Sequence, residues 1–483
     1  MAVGIGEMNS TQTIVKNIMW LLIGSIASTI LAVALSISIA RFLGDVIFGG
    51  YSFVVAFVAL LSIFLDLGYE TLLIRDVAKE KFKASMYVNN IISIRIIFSV
   101  LTFIGMFVLI NILNYPEDIK VLVYLLGLAQ IILSISNIFR VTMRAFERMD
   151  YEAGVNIITN VLRCSIGLIL LYLGYGLIQI GLAFVFISVI DLVVSFLICE
   201  KKFIKIKSQF DPSFFKNTIR IAFPIGLLAI FGLIYLRIDI VILEYFKGDA
   251  VVGWYNAAYT LILGFRPIPI LLMNALFPFM AYETQNSKQI LREVYEKAFK
   301  LLTIIGLPIT VGIFLLADKF IIIFYGQNYL NSITSLQILS WDILLTFLYL
   351  CIWFVLVAVN EQNKLATVAG IGALLNIVLN VILIPKYSLV GSSVATIITE
   401  FFILLIYISL TFKIGLKIPI IKIFFKPVIA VSVMAIFIYV FNVMNLYLLI
   451  CCSVLIYFGV FLIIKGFSKE ELSLLKNSMM KKK

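Results

Sequence analysis

Histidine is absent from all 483 residues, so the commonest general base and metal ligand of proteins is missing. The five cysteines show no Cys-x-x-Cys spacing, and they therefore indicate neither a zinc site nor a disulfide framework. Gly44 and Gly49 have the opening spacing of a phosphate-binding loop, but Gly50 and Tyr51 follow where that motif requires Lys and Ser or Thr. These absences favour a protein that is not an enzyme and that holds no metal or cofactor.

Charge is also scarce, at 13% of residues, whereas 63% of residues are hydrophobic and the mean hydropathy is +1.12. A soluble globular protein is about half apolar and a quarter charged, so this chain is expected in a lipid bilayer. The net charge of +12 would suit a nucleic acid only if the basic residues formed a solvent-facing patch. They lie mainly in short links between apolar runs, so no nucleic-acid partner is predicted.

Apolar runs long enough to cross a membrane recur along the whole chain. A spanning helix needs about 20 apolar residues, and such continuous runs are not the short alternating strands of a membrane barrel. The sequence therefore predicts an all-α integral membrane protein with fourteen transmembrane helices. The runs are approximately 17–40, 51–73, 88–113, 119–142, 154–173, 177–199, 218–243, 254–281, 298–317, 334–359, 364–384, 389–411, 420–441 and 445–464.

The positions of Lys and Arg predict the orientation of these helices. With the N-terminus inside, 29 of the 38 basic residues fall in cytoplasmic segments and five in outside links. This split obeys the positive-inside rule, and it predicts a multi-pass protein of the cytoplasmic membrane with both termini cytoplasmic. The remaining four basic residues lie inside apolar runs: Arg95, Arg163, Arg237 and Arg266.

One motif occurs twice, from Phe42 to Tyr51 and, 204 positions later, from Phe246 to Tyr255. An internal repeat of this length indicates two related halves. Because each half holds six helices, both copies have the same orientation, related by a pseudo-two-fold axis along the membrane normal. The predicted parts are an N-lobe with helices 1–6, a C-lobe with helices 7–12, and two extra helices with a basic cytoplasmic tail: 1–207, 208–412 and 413–483. The Gly-Asp pairs of the motif are interpreted as structural turns: Gly44, Asp45, Gly248 and Asp249.

The arginines inside the apolar runs predict where a substrate binds. Charge at bilayer depth is costly and usually faces a cavity or a partner, and guanidinium groups suit phosphate and carboxylate. Arg163 shares one helix face with two asparagines at helical spacing. The predicted substrate-binding residues are Arg95, Arg163, Arg237, Arg266, Asn156 and Asn160. The alternative is that these groups form interhelical hydrogen bonds or structural ion pairs, for example between Asp239 and a neighbouring arginine.

Acidic residues within the runs are candidates for binding a coupling cation, either H⁺ or Na⁺. They are Asp239, Asp342 and Glu400, and nothing in the sequence chooses among them. Arg266 is followed by Pro267 and Pro269, which remove backbone donors and are expected to kink the helix.

The segments Ala40-Arg41-Phe42-Leu43-Gly44, Asp66-Leu67-Gly68-Tyr69 and Leu73-Ile74-Arg75-Asp76 resemble the signature of the oligosaccharide flippases. These form the polysaccharide-transporter branch of the multidrug/oligosaccharidyl-lipid/polysaccharide exporter superfamily. The resemblance implies a two-lobed, V-shaped bundle with a central cationic cavity. It further implies a signature or cytoplasmic-gate role for Asp66, Gly68 and Arg75, and Arg144, at the cytoplasmic end of a polar stripe on the fourth helix, is predicted to belong to the same gate.

The function that the resemblance implies is alternating-access movement of a polyprenyl-(pyro)phosphate-linked oligosaccharide to the outer leaflet, for surface polysaccharide or glycoprotein glycan assembly. The expected partners are that anionic glycan lipid, membrane lipids and a coupling cation, and the protein is expected to be monomeric. One alternative is a cation-coupled multidrug or small-molecule exporter, which the intramembrane arginines disfavour. A second is a membrane glycan polymerase, which the short outside loops and the absent histidine disfavour.

Overall fold

The computed structural model describes residues 10–207 and 209–467, and every regular element in them is helical. Two short 3-10 turns, Lys81–Lys83 and Gln327–Tyr329, accompany the α-helices. The helices are α1 (Ser10–Leu43), α2 (Asp45–Leu61), α3 (Ile63–Asp66), α4 (Tyr69–Lys79), α5 (Ala84–Ile112), α6 (Glu117–Ala145), α7 (Met149–Tyr172), α8 (Leu177–Lys202), α9 (Pro212–Lys247), α10 (Asp249–Leu263), α11 (Pro267–Asn286), α12 (Lys288–Leu315), α13 (Ala317–Phe324), α14 (Ser332–Ala358), α15 (Gln362–Lys413), α16 (Ile420–Val440) and α17 (Leu446–Ile463).

The predicted fold class is confirmed: this is an all-α, multi-pass membrane protein. Twelve helical segments of the described residues are long and apolar enough to cross a membrane. One of them, α15, contains two predicted runs, 364–384 and 389–411, on either side of Ser388, whose φ of 55° and ψ of −136° are not helical. Another predicted run, 218–243, lies in α9, which is not among the twelve. The count of fourteen therefore stays a prediction.

The chain forms two compact units. The first comprises Met1–Pro267 and Ala366–Ser392, and the second comprises Ile268–Leu365 and Ser393–Lys483. This division follows spatial contacts, whereas the predicted lobes follow the internal repeat, so the lobe boundaries stay a prediction.

The first unit has a hydrophobic core beside the short helix α4. Leu72, Leu73 and Val77 of α4 are buried together with Val88 of α5 and Ile138 of α6. The buried positions of α4 recur at helical spacing, because one face of an amphipathic helix turns toward the core. This packing places the start of α4, with Asp66 just before it, against α5 and α6.

The two copies of the repeated motif pack against each other within the first unit, through α2 and α10. A Cβ atom on Gly49 would lie 1.7 Å from the Asp249 carbonyl oxygen, and one on Gly253 would lie 2.1 Å from the Asp45 carbonyl oxygen. Only glycine permits such an approach of one backbone to another. The contact is reciprocal because equivalent residues of the two copies meet across a local pseudo-two-fold relation.

This local symmetry is broken at one pair of positions. Trp254 donates a hydrogen bond from Nε1 to Oδ2 of Asp45, at 2.8 Å. The residue equivalent to Trp254 in the first copy is Gly50, which faces the Asp249 carboxylate and has no donor side chain. Asp45 therefore accepts a hydrogen bond across the interface, whereas its counterpart Asp249 accepts none from the first copy among the described residues.

The second unit contains α12, α13, α14, α16 and α17. Tyr457 of α17 donates a buried hydrogen bond to the carbonyl oxygen of Ile304 in α12, at 2.9 Å. Two candidate cation-binding acids lie in this unit: Asp342 and Glu400 are each 1% exposed.

Candidate functional site

Polar side chains line three cavities in the first unit. The Arg95 cavity, of about 470 Å³, is lined by Asp66, Glu70, Arg95, Asn137 and Arg140. The amide cavity, of about 570 Å³, is lined by Ser25, Ser28, Thr29, Arg144, Glu152, Asn156 and Asn160. The Arg163 cavity, of about 140 Å³, is lined by Ser36, Tyr51, Asn160, Arg163 and Phe184.

In the Arg95 cavity, one arginine forms ion pairs with two carboxylates. Arg95 is 2% exposed, and its Nη2 lies 2.7 Å from Asp66 Oδ1 and 3.5 Å from Glu70 Oε1. Asp66 also accepts the backbone N–H groups of Gly68 and Glu70, at 3.1 and 3.0 Å. Gly68 has a φ of 90°, and a Cβ atom there would lie 2.2 Å from the Ala222 carbonyl oxygen, so glycine allows α9 to approach this turn.

Glu70 carries the excess negative charge of this cluster. Burial raises the pKa of the Glu70 carboxyl, and the Asp66 carboxylate raises it further, whereas Arg95 and a hydrogen bond from Asn137 oppose the rise. Two carboxylates facing one guanidinium leave one net negative charge when all three are ionised. A proton on Glu70 neutralises that charge.

Arg140 links the Arg95 cavity to the amide cavity, and sequence reasoning missed it. Its Nη1 donates to Asn156 Oδ1 at 2.8 Å and to Asp191 Oδ2 at 3.1 Å. Asp191 is fully buried and also accepts from Thr159 Oγ1 at 2.6 Å and from Ser136 Oγ. The orientation count included Arg140 among the 29 cytoplasmic basic residues, in the segment 140–148 at the end of the fourth predicted run. Its spacing of four residues from Ser136, on one helix face, was the signal that could have found it.

The predicted gate residues have different surroundings. Arg144 forms an ion pair with the buried Glu152 at the amide cavity, with its Nε 2.9 Å from Oε2. Arg75 forms a pair with Asp76 at 2.7 Å, and its side chain is 44% exposed. The structure thus brings Arg144 to a cavity and leaves Arg75 at the surface of α4.

The amide cavity lies between α1 and α7. Asn160 donates from Nδ2 to Ser28 Oγ at 3.0 Å and to the Asn156 carbonyl oxygen at 2.8 Å. Thr29 donates back to the carbonyl oxygen of Ser25, at 2.9 Å. The two asparagines and Arg163, predicted to share a face of α7, all line cavities.

Arg163 is the arginine with the fewest polar contacts among the cavity residues. Its Nη2 donates to Ser188 Oγ at 3.2 Å, and its guanidinium carbon lies 5.5 Å from the centroid of the Phe184 ring. Its Nε is buried without a hydrogen-bond partner, and no carboxylate forms an ion pair with it, among residues 10–207 and 209–467. Tyr51 lines the same cavity. Arg163 therefore presents a positive charge that forms no ion pair within 4 Å among the described residues, and Asp191, the partner of Arg140, is the acid that acts on it electrostatically.

The other predicted residues are not among those that line the three cavities, although Arg237 acts electrostatically on Tyr51 of the Arg163 cavity. Asp239 is buried and accepts from Tyr255 Oη at 2.5 Å and from the Ile240 N–H at 2.8 Å. Arg237, two residues earlier on α9, also acts electrostatically on this carboxylate, so the alternative that Asp239 pairs with a neighbouring arginine stays a prediction. Arg237 lies on α9, and Arg266 lies in the turn between α10 and α11, where the helix is interrupted.

Comparison with known proteins identifies the families and relatives that this chain resembles. Residues 14–284 match the model of the family described as polysaccharide biosynthesis protein, and residues 224–382 match the MatE model. The capsular polysaccharide biosynthesis protein CapF of Staphylococcus aureus is 22% identical over 81% of this chain and 98% of its own length. The probable low-salt glycan biosynthesis flippase Agl15 of Haloferax volcanii is 26% identical over 34% of this chain and 35% of its own length.

A solved structure shares the fold. The lipid II flippase MurJ, in its inward closed conformation, superimposes with a TM-score of 0.76 and 18% identity over 92% of this chain and 97% of MurJ. The first family model spans more than half of the 483 residues. The chain belongs to the polysaccharide biosynthesis protein family, in the polysaccharide-transporter branch of the multidrug/oligosaccharidyl-lipid/polysaccharide exporter superfamily.

Proposed function

We propose that the protein is a flippase that moves a polyprenyl-(pyro)phosphate-linked oligosaccharide from the cytoplasmic to the outer leaflet by alternating access. Its product feeds assembly of a cell-surface polysaccharide or a glycoprotein glycan. The protein is a monomer of the cytoplasmic membrane with both termini inside, and it acts as a transporter, not an enzyme. The observation that carries the proposal is Arg163, a cavity arginine without a described carboxylate partner.

Electrostatics support an anionic substrate. A charge in a membrane helix is expensive to keep unpaired, and the neighbouring arginines 95, 140 and 144 all have carboxylate partners. A phosphate that enters the Arg163 cavity supplies the missing counter-charge. Guanidinium suits this task because it stays ionised and offers forked N–H donors to phosphate oxygens.

The relatives support the glycan part of the proposal. One is named as a glycan biosynthesis flippase, one as a capsular polysaccharide biosynthesis protein, and the structural neighbour as a lipid II flippase. The first two names share glycan or polysaccharide biosynthesis, and the first and third share flipping.

A second candidate is a cation-coupled multidrug exporter, which the match of residues 224–382 to the MatE model favours. In either case a coupling cation, H⁺ or Na⁺, remains a proposal, with Asp239, Asp342 and Glu400 as candidate ligands. The two candidates differ in the substrate charge. Arg163 would repel a cationic drug and attract a phosphate.

The test uses the full chain in proteoliposomes loaded with a polyprenyl-diphosphate-linked oligosaccharide, whose arrival in the opposite leaflet is measured by lectin binding. We expect Arg163→Ala to slow translocation by about tenfold or more, because hydrogen bonds to a charged group contribute about 1.5–3 kcal/mol. Arg163→Lys keeps the charge and should retain part of the rate.

The matched control is Arg220→Ala, which removes an exposed arginine of the same unit and should leave the rate unchanged. An unaltered rate in Arg163→Ala would refute the role of the Arg163 cavity. A wild-type protein that moves a cationic dye and no glycan lipid would instead establish the exporter.

A further inference from the structure

The amide cavity and the Arg163 cavity are neighbours. Ala32 of α1 and Asn160 of α7 line both. Arg163 lies seven residues from Asn156 along α7, or about 10 Å at the helical rise of 1.5 Å per residue. One ligand that extends along α7 therefore reaches both cavities.

The two cavities differ in charge. The amide cavity is lined by the hydroxyl and amide groups of α1 and α7, and its two charged residues, Arg144 and Glu152, neutralise each other as an ion pair. The Arg163 cavity has a guanidinium without a described carboxylate partner. The first suits a neutral polar group, and the second suits an anion.

The cavities also differ in size. The amide cavity holds about 570 Å³ and the Arg163 cavity about 140 Å³. Small residues widen the amide cavity, because Gly24, Ala32 and Ala153 contribute to its wall. The smaller cavity has room for a compact anion, and the larger one for a bulkier polar group.

Two side-chain amides of the amide cavity each keep one polar group that can still form a hydrogen bond. Arg140 donates to Oδ1 of Asn156, and since a guanidinium can only donate, this bond fixes the amide orientation. The Nδ2 group of Asn156 is left as a donor. Asn160 uses Nδ2 for Ser28 and for a backbone carbonyl, so its Oδ1 is left as an acceptor. Among the described residues, neither remaining group has a hydrogen-bond partner.

A donor and an acceptor one helical turn apart match a sugar hydroxyl, which accepts from the first and donates to the second. Amide groups at membrane depth are costly when they remain unsatisfied. A phosphate oxygen would satisfy only the donor, because it has no hydrogen to give to Asn160. The chemistry of the cavity thus selects a hydroxyl-rich ligand over an anion.

We infer that the amide cavity is the subsite for the sugar that is attached directly to the (pyro)phosphate. Asn156 donates to this sugar and Asn160 accepts from it, while the phosphate lies at Arg163. Arg140 and Asp191 act as positioning residues, since they hold the Asn156 amide in the orientation that exposes its N–H group. This inference rests on the proposed function and adds to it the placement of the substrate along α7.

The test measures equilibrium binding of lipids to the purified full-length protein. The probes are undecaprenyl diphosphate and the same lipid carrying one glucose, galactose, mannose or N-acetylglucosamine. Wild-type protein should bind at least one sugar-bearing lipid more tightly than the bare lipid. Asn156→Ala should lose this preference by about three- to tenfold, the effect of one neutral hydrogen bond, and should bind the bare lipid as wild type does.

Retained binding of the bare lipid shows that the variant is folded. A milder second variant, Ser28→Ala, releases one N–H of Asn160 from its hydroxyl partner and should reduce the sugar preference less. Arg163→Ala should weaken the binding of the bare lipid and of the sugar-bearing lipids by the same factor. The control Asn286→Ala, at an exposed asparagine of α11, should change neither.

Two outcomes overturn the inference and leave the proposed function intact. In one, the wild type binds the bare lipid and prefers none of the sugar-bearing lipids. In the other, Asn156→Ala and Ser28→Ala weaken the binding of the bare lipid and of the sugar-bearing lipids by the same factor. Absence of binding to every lipid by the wild type would overturn the proposed function as well.

Discussion

The four arginines that line the cavities of the first unit fall into two groups. Arg95, Arg140 and Arg144 each lie within 4 Å of a carboxylate, on Asp66, Asp191 and Glu152 respectively. Arg163 contacts a serine hydroxyl and an aromatic ring instead. All four lie on helices that are long and apolar enough to cross a membrane, so a place on such a helix does not distinguish an arginine that forms an ion pair between helices from one that binds a ligand. The two kinds of arginine differ in whether a carboxylate lies within 4 Å of the guanidinium group.

The two groups should respond in opposite ways to removal of charge. Where a buried ion pair exists, removal of one partner leaves the other uncompensated and is strongly destabilising. Where no carboxylate partner exists, loss of the guanidinium removes a desolvation cost and an affinity for anions together. Measurements of protein stability therefore test the role of the paired arginines, and measurements of ligand binding test the role of Arg163.

The largest effect is expected at Asp191, the fully buried partner of Arg140. Asp191→Ala should lower the free energy of unfolding by about 3–5 kcal/mol, the usual cost of breaking a buried pair. The measurement is thermal unfolding in detergent, followed by tryptophan fluorescence. The double variant Arg140→Met with Asp191→Leu should recover most of the loss, because no buried charge then remains. An unchanged melting temperature in Asp191→Ala would contradict the paired role of Arg140.

An intermediate effect is expected from Arg95→Met compared with Arg163→Met. Loss of Arg95 leaves Asp66 and Glu70 facing each other without their shared cation, and both are about one-third exposed. We expect a loss of about 1–3 kcal/mol in Arg95→Met and none in Arg163→Met. Both are measured by the same unfolding assay. Equal melting temperatures for the two variants would remove the distinction between the two groups.

The smallest effect is expected at Glu70, and it depends on pH. Because the pKa of Glu70 is raised in the folded protein, its ionised form destabilises the fold. This penalty is present above the folded pKa and disappears as the pH falls toward the unfolded value of about 4.3. Glu70→Gln should therefore be more stable than wild type near neutral pH, and the difference should shrink on acidification.

Melting temperatures of both proteins across that pH range test this expectation. Glu293→Gln, at an exposed glutamate of α12, is the matched control and should follow wild type at every pH. Parallel curves for wild type and Glu70→Gln would show that the Arg95 cavity does not penalise the ionised carboxylate.

Local patterns in the sequence were sufficient to predict the helices and to predict which residues share one face of the candidate site. Apolar runs predict membrane helices because hydropathy is a property of each segment alone. The positions of Asn156, Asn160 and Arg163 follow from helical spacing in the same way. The repeated Gly-Asp motif indicated equivalent positions, although only the structure shows that the two copies pack against each other through Gly49 and Gly253.

What the sequence by itself determined is therefore the membrane environment, the helical class, the family signature and the polar face of α7. The tertiary structure decided which charges are neutralised. Arg95 meets Asp66 across 29 positions and Arg140 meets Asp191 across 51, while Asp239 accepts a hydrogen bond from Tyr255. The physical reason is that spacing places side chains on one helix face, whereas an ion pair depends on which other helix packs against that face.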